Sequence, residues 1–521
     1  MKTKRLFYIS GLCVTGTLAS CVPSAEEQKH PNIVLILADD MGYGDVSFFN
    51  TGSRVQTPAI DDLARYGISF TNAHASGSVC TPSRYGLLTG RYAFRTEGAA
   101  RGLIGFDRVV IEPGRETLAS MLGEVGYTSA VIGKWHLGVD WVTKDDVEVA
   151  VFDHETGYSN VDYWSELKAG PNNFGFDYSF IHVASTDMPP YMFVMDHKVV
   201  DPEVVLTSDI YPNRLENTVY DWDLRSLTED DVYWRTGVWW RRGEISKSFR
   251  IEYCQPSIMQ AGVSFIEWQS ENNDASPFFL YLPLTGPHTP WLPGNQFQGK
   301  SDLGDYGDFI LEIDDIVLQI KKTLMRMNLY DNTIIIFASD NGAHWPWQQI
   351  ERTGHDASVG RRGMKGDVWD GGHHVPMVIS WPAKIKQPAT YEHLVSLTDV
   401  FATLTELTGQ TMDEYSGEDS QSFMHVLNGH LDKPTRDHMI HHSSRRMFAI
   451  RKNGWKYIDG LGSGGFTAPG VIEPEEGGPY GQLYNIATDP NESEDLYMQN
   501  LPMVEQMKHE LQRIIAEGRS R

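Results

Sequence analysis

Two stretches of the chain are apolar at every position rather than at every second or fourth. Asn32-Ile33-Val34-Leu35-Ile36-Leu37-Ala38 and Thr333-Ile334-Ile335-Ile336-Phe337-Ala338-Ser339 carry no alternation, which predicts strands buried on both faces of a parallel sheet. Shorter runs at 130–132, 278–282 and 375–380 read as further strands. Segments 60–66, 117–125, 309–327 and 394–407 read as helices packed by one face. Strands alternating with helices predict an α/β sandwich. Past about residue 410, Gly, Asp and Ser cluster, and 447–450 and 455–458 then flank Asn453-Gly454, a hairpin signal. A polar helix over 503–517 follows. This predicts a smaller α+β domain over 411–521 after a larger one over 31–410. The stretch 140–250 has no clear periodicity.

The first residues follow another pattern. Lys2, Lys4 and Arg5 precede an apolar run over 6–14, and small residues lead to Leu18-Ala19-Ser20-Cys21. The run falls short of the roughly 20 residues that span a bilayer, so 1–20 read as a secretory signal and 21–30 as a linker. The ending resembles a bacterial lipobox, in which Cys21 is acylated. Ser24-Ala25-Glu26-Glu27 looks like the surface-export signal of Bacteroidota lipoproteins, or a solvated linker. The expectation is an exported protein, in the periplasm or on the cell surface, anchored to the outer membrane by lipid.

Charge narrows the partners. With 44 basic and 69 acidic residues the net charge is −25, which argues against nucleic acid. A small anion remains possible if a local pocket is cationic, because overall charge is screened beyond about 8 Å. Of four cysteines, Cys13 falls in the signal and Cys21 at its end, leaving Cys80 and Cys254. No disulfide framework is available, and Cys254 has no evident task.

The chemistry gathers where the apolar strands stop. Asp39-Asp40 and Asp340-Asn341 follow them directly, and open α/β sheets bind ligands beyond the carboxyl ends of their strands. Four such oxygen donors suit a hard cation such as Ca²⁺ or Mg²⁺, without the imidazole or thiolate that zinc prefers. Simple loop formation also accounts for acidic residues there. Between the strands lies Cys80-Thr81-Pro82-Ser83-Arg84, running on to Thr89-Gly90-Arg91. Thr81 can cap a helix with Pro82 at its first position and Gly90 at its end. Cys80 would then sit just outside the helix, as a low-pKa thiolate or as an ordinary buried residue.

These residues resemble the signature C-x-P-S-R and T-G-R of the formylglycine-dependent sulfatases. Gly133-Lys134-Trp135-His136-Leu137-Gly138 resembles the second signature of that family. Pro287-His288-Thr289-Pro290, Ser339-Asp340-Asn341-Gly342, Lys365-Gly366, and Leu483-Tyr484-Asn485 with Asp489-Pro490 match in the same order. The resemblance runs from Pro31 to about Asn491. It implies an alkaline phosphatase-like mixed sheet sandwiched by helices, with a smaller C-terminal antiparallel sheet and helix. It also implies a sulfuric ester hydrolase whose Cys80 is oxidised by a maturase to formylglycine. One hydroxyl of the hydrated aldehyde attacks sulfur; the other then loses its proton and expels sulfate, an elimination that serine and cysteine cannot perform. Asp39, Asp40, Asp340, Asn341 and modified Cys80 would hold Ca²⁺. Arg84, Lys134 and Lys365 would neutralise charge, His288 with Lys365 would protonate the leaving oxygen, and His136 would assist loss of the diol proton. On the substrate side Ser185 is the best match and His182 its rival. One departure is Asp370-Gly371-Gly372, where the family commonly has Glu.

The substrate is a further expectation. Trp222, Trp234, Trp239 and Trp240 with Arg235, Arg241 and Arg242 suit either a glycan subsite or the packing of an insertion. Ser185-Thr186-Asp187-Met188-Pro189-Pro190-Tyr191 resembles a segment of Bacteroidota sulfatases acting on galactose or N-acetylgalactosamine sulfates of host glycans, mucin or glycosaminoglycan. Position 6 is favoured for the ester. The rivals are a phosphate or phosphonate monoester hydrolase of the same superfamily and a catalytically silent glycan-binding lipoprotein.

Overall fold

The computed structural model describes residues 30–145, 147–212, 214–216, 220–223, 239–272 and 276–521. The signal segment and Cys21 lie outside the described residues. No helix among those described is long and apolar enough to cross a membrane.

Both unbroken apolar runs become strands of one ten-stranded sheet. Its members are β1 (Asn32–Asp39), β2 (Ile68–Phe70), β3 (Thr128–Lys134), β4 (Tyr178–His182), β5 (Phe193–Met195), β6 (Lys198–Val199), β7 (Phe278–Pro287), β8 (Thr333–Ser339), β9 (Met377–Ser380) and β10 (Ala389–Tyr391). They lie in the order β10-β2-β9-β8-β1-β7-β3-β4-β5-β6. The central five, β8 to β4, are parallel, whereas β9 and β5 join antiparallel. In β1, Ile33, Leu35 and Leu37 face one core and Val34, Ile36 and Ala38 the other. Burial on both faces is the reason the run is apolar throughout.

Helices cover each face. On one side lie α1 (Pro58–Tyr66), α4 (Cys254–Asn272) and α5 (Asp305–Arg326); on the other lie α2 (Cys80–Thr89), α3 (Leu118–Gly123) and α6 (Asp399–Leu407). The helix expected over 394–407 starts late. Val395 and Ser396 pair with Ala73 and His74, and the Asp399 carboxylate accepts from Ser396 N at 2.8 Å. The aperiodic stretch holds short antiparallel pairings such as Val204–Leu206 with Glu244–Ser246.

A four-stranded antiparallel sheet follows in chain order: β11 (His438–His442), β12 (Phe448–Lys452), β13 (Trp455–Ile458) and β14 (Gln482–Asn485). Asn453 and Gly454 have φ of 51° and 79°, as a tight hairpin turn requires. Helix α7 (Leu501–Glu517) lays Val504, Met507, Leu511 and Ile514 on Ile440, Ile450, Tyr457 and Leu483. A buried ionic seam joins this sheet to the large one. Lys456 Nζ is met by Asp370 Oδ1 at 2.8 Å, Glu492 Oε1 at 2.7 Å and His373 Nε2 at 3.3 Å. Arg451 takes Asp370 Oδ2, and Asp370 N donates to Glu492 at 2.6 Å. The shorter Asp at 370 is thus matched by cations from β12 and β13.

Candidate active site

Parallel pairing of β1 with β8 sets Ala38 beside Ser339, so Asp39-Asp40 and Asp340-Asn341 emerge side by side. Asp40 turns the chain with φ of 65°, a left-handed conformation that Asp tolerates and that clusters at functional sites. Its N–H donates to Asp340 Oδ1 at 3.2 Å. Helix α2 supplies the rest of the floor. It begins at Cys80 itself, with Val79 as its extended N-cap and Gly90 closing it at φ 65°. Thr81 therefore does not cap the helix; its hydroxyl donates to the His136 carbonyl at 3.0 Å. The four-residue spacing puts Cys80 and Arg84 on one helical face, and every residue of α2 is buried.

The side chains interlock. Arg84 Nε and Nη2 donate to Asp340 Oδ2 at 2.9 and 2.8 Å, and Nη1 donates to the Lys134 carbonyl at 2.8 Å. Lys134 Nζ lies 2.5 Å from Asp39 Oδ2, 3.4 Å from Cys80 Sγ and 3.0 Å from Ser185 Oγ. Cys80 Sγ is also 3.4 Å from Asp39 Oδ1. Lys365 Nζ donates to Asp40 Oδ2 at 2.8 Å, and Asn341 Nδ2 donates to Asp40 Oδ1 at 2.7 Å. Three buried carboxylates thus face three buried cations.

Electrostatics fix the resting charges. Burial and Asp39 push the Cys80 thiol well above its ordinary range, so the thiolate allowed by a helix N-terminus does not form in this setting. Burial, with Asp39, raises the Asp340 carboxyl to about 6. Burial opposes ionisation of Asp40, yet Lys365, His288 and Lys134 hold it well below the usual range. Burial would lower Lys365, but Asp40 outweighs it and keeps the ammonium. One carboxylate oxygen each from Asp39, Asp40 and Asp340 lies with Cys80 Sγ within a mutual 4.8 Å. Asn341 Oδ1 is buried without a hydrogen-bond partner among the described residues. Converging hard oxygens with an unspent lone pair fit a divalent cation such as Ca²⁺.

The two histidines have defined tautomers. A carbonyl only accepts, so His136 Nε2–H donates to Leu103 O at 2.8 Å and Nδ1 is bare, with no partner among the described residues. Burial and Lys134 depress this imidazole well below its ordinary value. His288 Nδ1–H donates to Thr289 O at 2.6 Å and lies 3.2 Å from Ser185 Oγ. Its Nε2 is 3.7 Å from Asp40 Oδ2, and burial with Lys365 lowers its pKa to about 4.

Of the substrate-side pair, Ser185 bridges Lys134 and His288 directly. His182 instead spends Nδ1 on the Met192 carbonyl at 3.1 Å and stacks 5.5 Å from Phe249. Trp240 is fully buried and packs on Tyr211 at 4.8 Å, which makes it core rather than sugar platform. Arg241 stands over Trp239 at 5.5 Å and pairs with Asp187. The side chains of Trp222, Trp234 and Arg235 lie outside the described residues. Asp187 lies in the segment 185–191 but was not singled out there, and His344 carried no motif; both enter the site. Asp187 Oδ1 is buried, makes no hydrogen bond among the described residues and lies 3.9 Å from His288 Nδ1. Burial and Lys365 press His344 down to about 4, with Asp40, His288 and Asp187 as its other titratable neighbours.

Comparison with known proteins agrees with this geometry. The family profile described as Sulfatase matches residues 31–410. A protein of Bacteroides thetaiotaomicron named N-acetylgalactosamine-6-O-sulfatase is 33% identical over 94% of this chain and 94% of its own. A solved structure concerning metabolism of multiple glycosaminoglycans by the same organism superposes with a TM-score of 0.76. It is 30% identical, over 94% of this chain and 100% of that one. A Pseudoalteromonas sulfatase shares the fold with a TM-score of 0.68 at 22% identity, covering 94% and 91%.

Proposed function

The chain belongs to the sulfatase family and is a sulfuric ester hydrolase, and on that footing we propose that it removes 6-O-sulfate from galactose or N-acetylgalactosamine of host glycans. The observation that carries this reading is the convergence of Asp39, Asp40, Asp340 and the orphan Asn341 Oδ1 around Cys80, with Arg84, Lys134 and Lys365 beside them. The likeness to a protein named for N-acetylgalactosamine 6-sulfate supports the choice of sugar and position.

In this reading formylglycine made from Cys80 by a maturase supplies a hydrated aldehyde as nucleophile, and Ca²⁺ on Asp39, Asp40, Asp340 and Asn341 supplies a Lewis acid for the sulfate oxygens. The chain's own residues do the remainder. Lys134 stands between Asp39, Cys80 and Ser185, where its ammonium can receive a sulfate oxygen. Such preorganised charge is typically worth about 3–4 kcal/mol of transition-state stabilisation. The bare Nδ1 of His136 can take a proton because Nε2–H is committed to Leu103. Lys365 would supply the proton to the departing sugar oxygen, and His288 would share that role once its Nε2, 3.7 Å from Asp40 Oδ2, has taken a proton. Asp187 Oδ1 is a buried acceptor suited to a sugar hydroxyl. Export and a lipid anchor at Cys21 complete the reading, since host glycans are met outside the cytoplasm.

The test is sulfate release by the full chain, coexpressed with a maturase, from N-acetylgalactosamine 6-sulfate, galactose 6-sulfate, their 4-sulfated isomers and the matching phosphate esters. Preference for the 6-sulfates is expected. Faster cleavage of phosphate esters, or tight sugar binding without sulfate release, would overturn the reading.

A further inference from the structure

The small sheet sends one side chain to the catalytic edge. The loop between β13 and β14 is pinned by Asp367, whose Oδ1 accepts from Phe466 N at 2.8 Å and Thr467 N at 3.0 Å. Asp367 Oδ2 accepts from Thr467 Oγ1 at 2.5 Å and Met364 N at 2.9 Å. The two backbones touch, since a Cβ on Gly465 would fall 2.1 Å from the Gly366 carbonyl oxygen. Phe466 is thereby fixed, yet its side chain remains 49% exposed.

What it is fixed against matters. A Cβ on Gly366 would lie 2.9 Å from the Phe466 ring, so the ring rests on the residue next to Lys365. The Phe466 ring centroid is 5.9 Å from that of His344. Lys365 N donates to Ala343 O at 2.9 Å, which ties His344 to the same edge. His344 makes no hydrogen bond among the described residues, and its titratable neighbours are Lys365, Asp40, His288 and Asp187. An aromatic ring held rigid but left wet contributes little to the core. A rigid ring beside an uncommitted imidazole instead suits a ligand with one apolar face and a polar rim.

We infer that Phe466 and His344 form the wall that receives the sugar ring on the leaving-group side. Phe466 covers its C–H face, and His344 meets a ring hydroxyl. The inference rests on the sulfated-sugar reading above and adds that sugar recognition is shared with the C-terminal sheet. Preorganisation by Asp367 lets the ring contribute without an ordering cost on binding.

The experiment compares KM for N-acetylgalactosamine 6-sulfate with the inhibition constant of inorganic sulfate, which probes the sulfate subsite alone. Phe466→Ala should raise KM about tenfold, with a smaller change in kcat and no change in the sulfate constant. Phe466→Tyr should restore KM, and His344→Ala should raise it. An unchanged KM in Phe466→Ala, or a sulfate constant that rises in step with KM, would overturn the inference; the latter would reassign Phe466 to holding the Lys365 loop. A melting curve establishes that each variant is folded. Failure of the native enzyme to release sulfate from any sugar would defeat the functional reading, and this inference with it; the native rate tells the two failures apart.

Discussion

The molecule buries two ionic clusters of similar composition and opposite character. At the seam, Lys456 spends its ammonium on Asp370, Glu492 and His373, and Arg451 closes the other oxygen of Asp370. Around Cys80, Asn341 Oδ1, Asp187 Oδ1 and His136 Nδ1 are buried without a hydrogen bond among the described residues. At the seam Lys456 and Arg451 close the Asp370 carboxylate, although His441 Nδ1 beside them also lacks a hydrogen bond among the described residues, whereas at the strand ends three carboxylate oxygens converge with Cys80 Sγ within a mutual 4.8 Å. A carboxylate closed by two cations marks a cluster that holds the fold together, and hard oxygens converging beside a nucleophile mark one suited to a ligand.

Mutation should separate the two most sharply in activity. Cys80→Ala should cut turnover by about a million-fold, as loss of a nucleophile does, while thermal melting changes little. A variant that kept measurable turnover would erase the distinction. Next in size, Lys456→Met should cost about 3–5 kcal/mol by stranding the Asp370 and Glu492 charges, read as a lower urea midpoint. Whatever protein still folds should have native kinetics; native stability would show that the seam carries no structural load.

Metal binding sharpens the contrast further. Chelation should lower the melting temperature and abolish turnover, and Ca²⁺ should restore both. Asn341→Ala should weaken calcium binding at least as much as the about 10–100-fold typical of an outer-shell partner, measured by calorimetry. Seam variants should leave that constant alone. A last effect is in pH. Burial lowers His373, His74 and His441 well below the ordinary 6.5, so they are neutral when folded and take protons when unfolded. The stability they retain above pH 6.5 is therefore lost as pH falls below it, by up to about 1.4 kcal/mol per histidine per pH unit. Melting temperature should drop between pH 7 and 5, and His441→Asn should flatten that slope.

The strands, the hairpin and the motif residues were legible because each leaves a local mark: an unbroken apolar run, Asn-Gly, or Cys and Arg four apart. His344 and Phe466 leave none, and within the segment 185–191 nothing singles out Asp187. They are single residues in aperiodic or loop segments, gathered only when β4, β8 and the small sheet reach one edge. Thr81 misled for a related reason. The pair Thr-Pro reads as a cap and first turn, but the extended Val79 already caps the helix and the hydroxyl is drawn to His136. Asp370 stood out as a departure, yet its partners Lys456 and Glu492 lie far along the chain.

The complete burial of α2 sets a schedule. An enzyme acting on the Cys80 thiol has no route to it once the large sheet and α6 have closed over the helix. Under the proposed chemistry the oxidation belongs to the interval between synthesis and folding, and a chain that folds first is left permanently inert. The yield of working enzyme then becomes a race between two rates. Slower folding should raise the modified fraction, and a destabilised variant can emerge with less stability but more active centres per molecule.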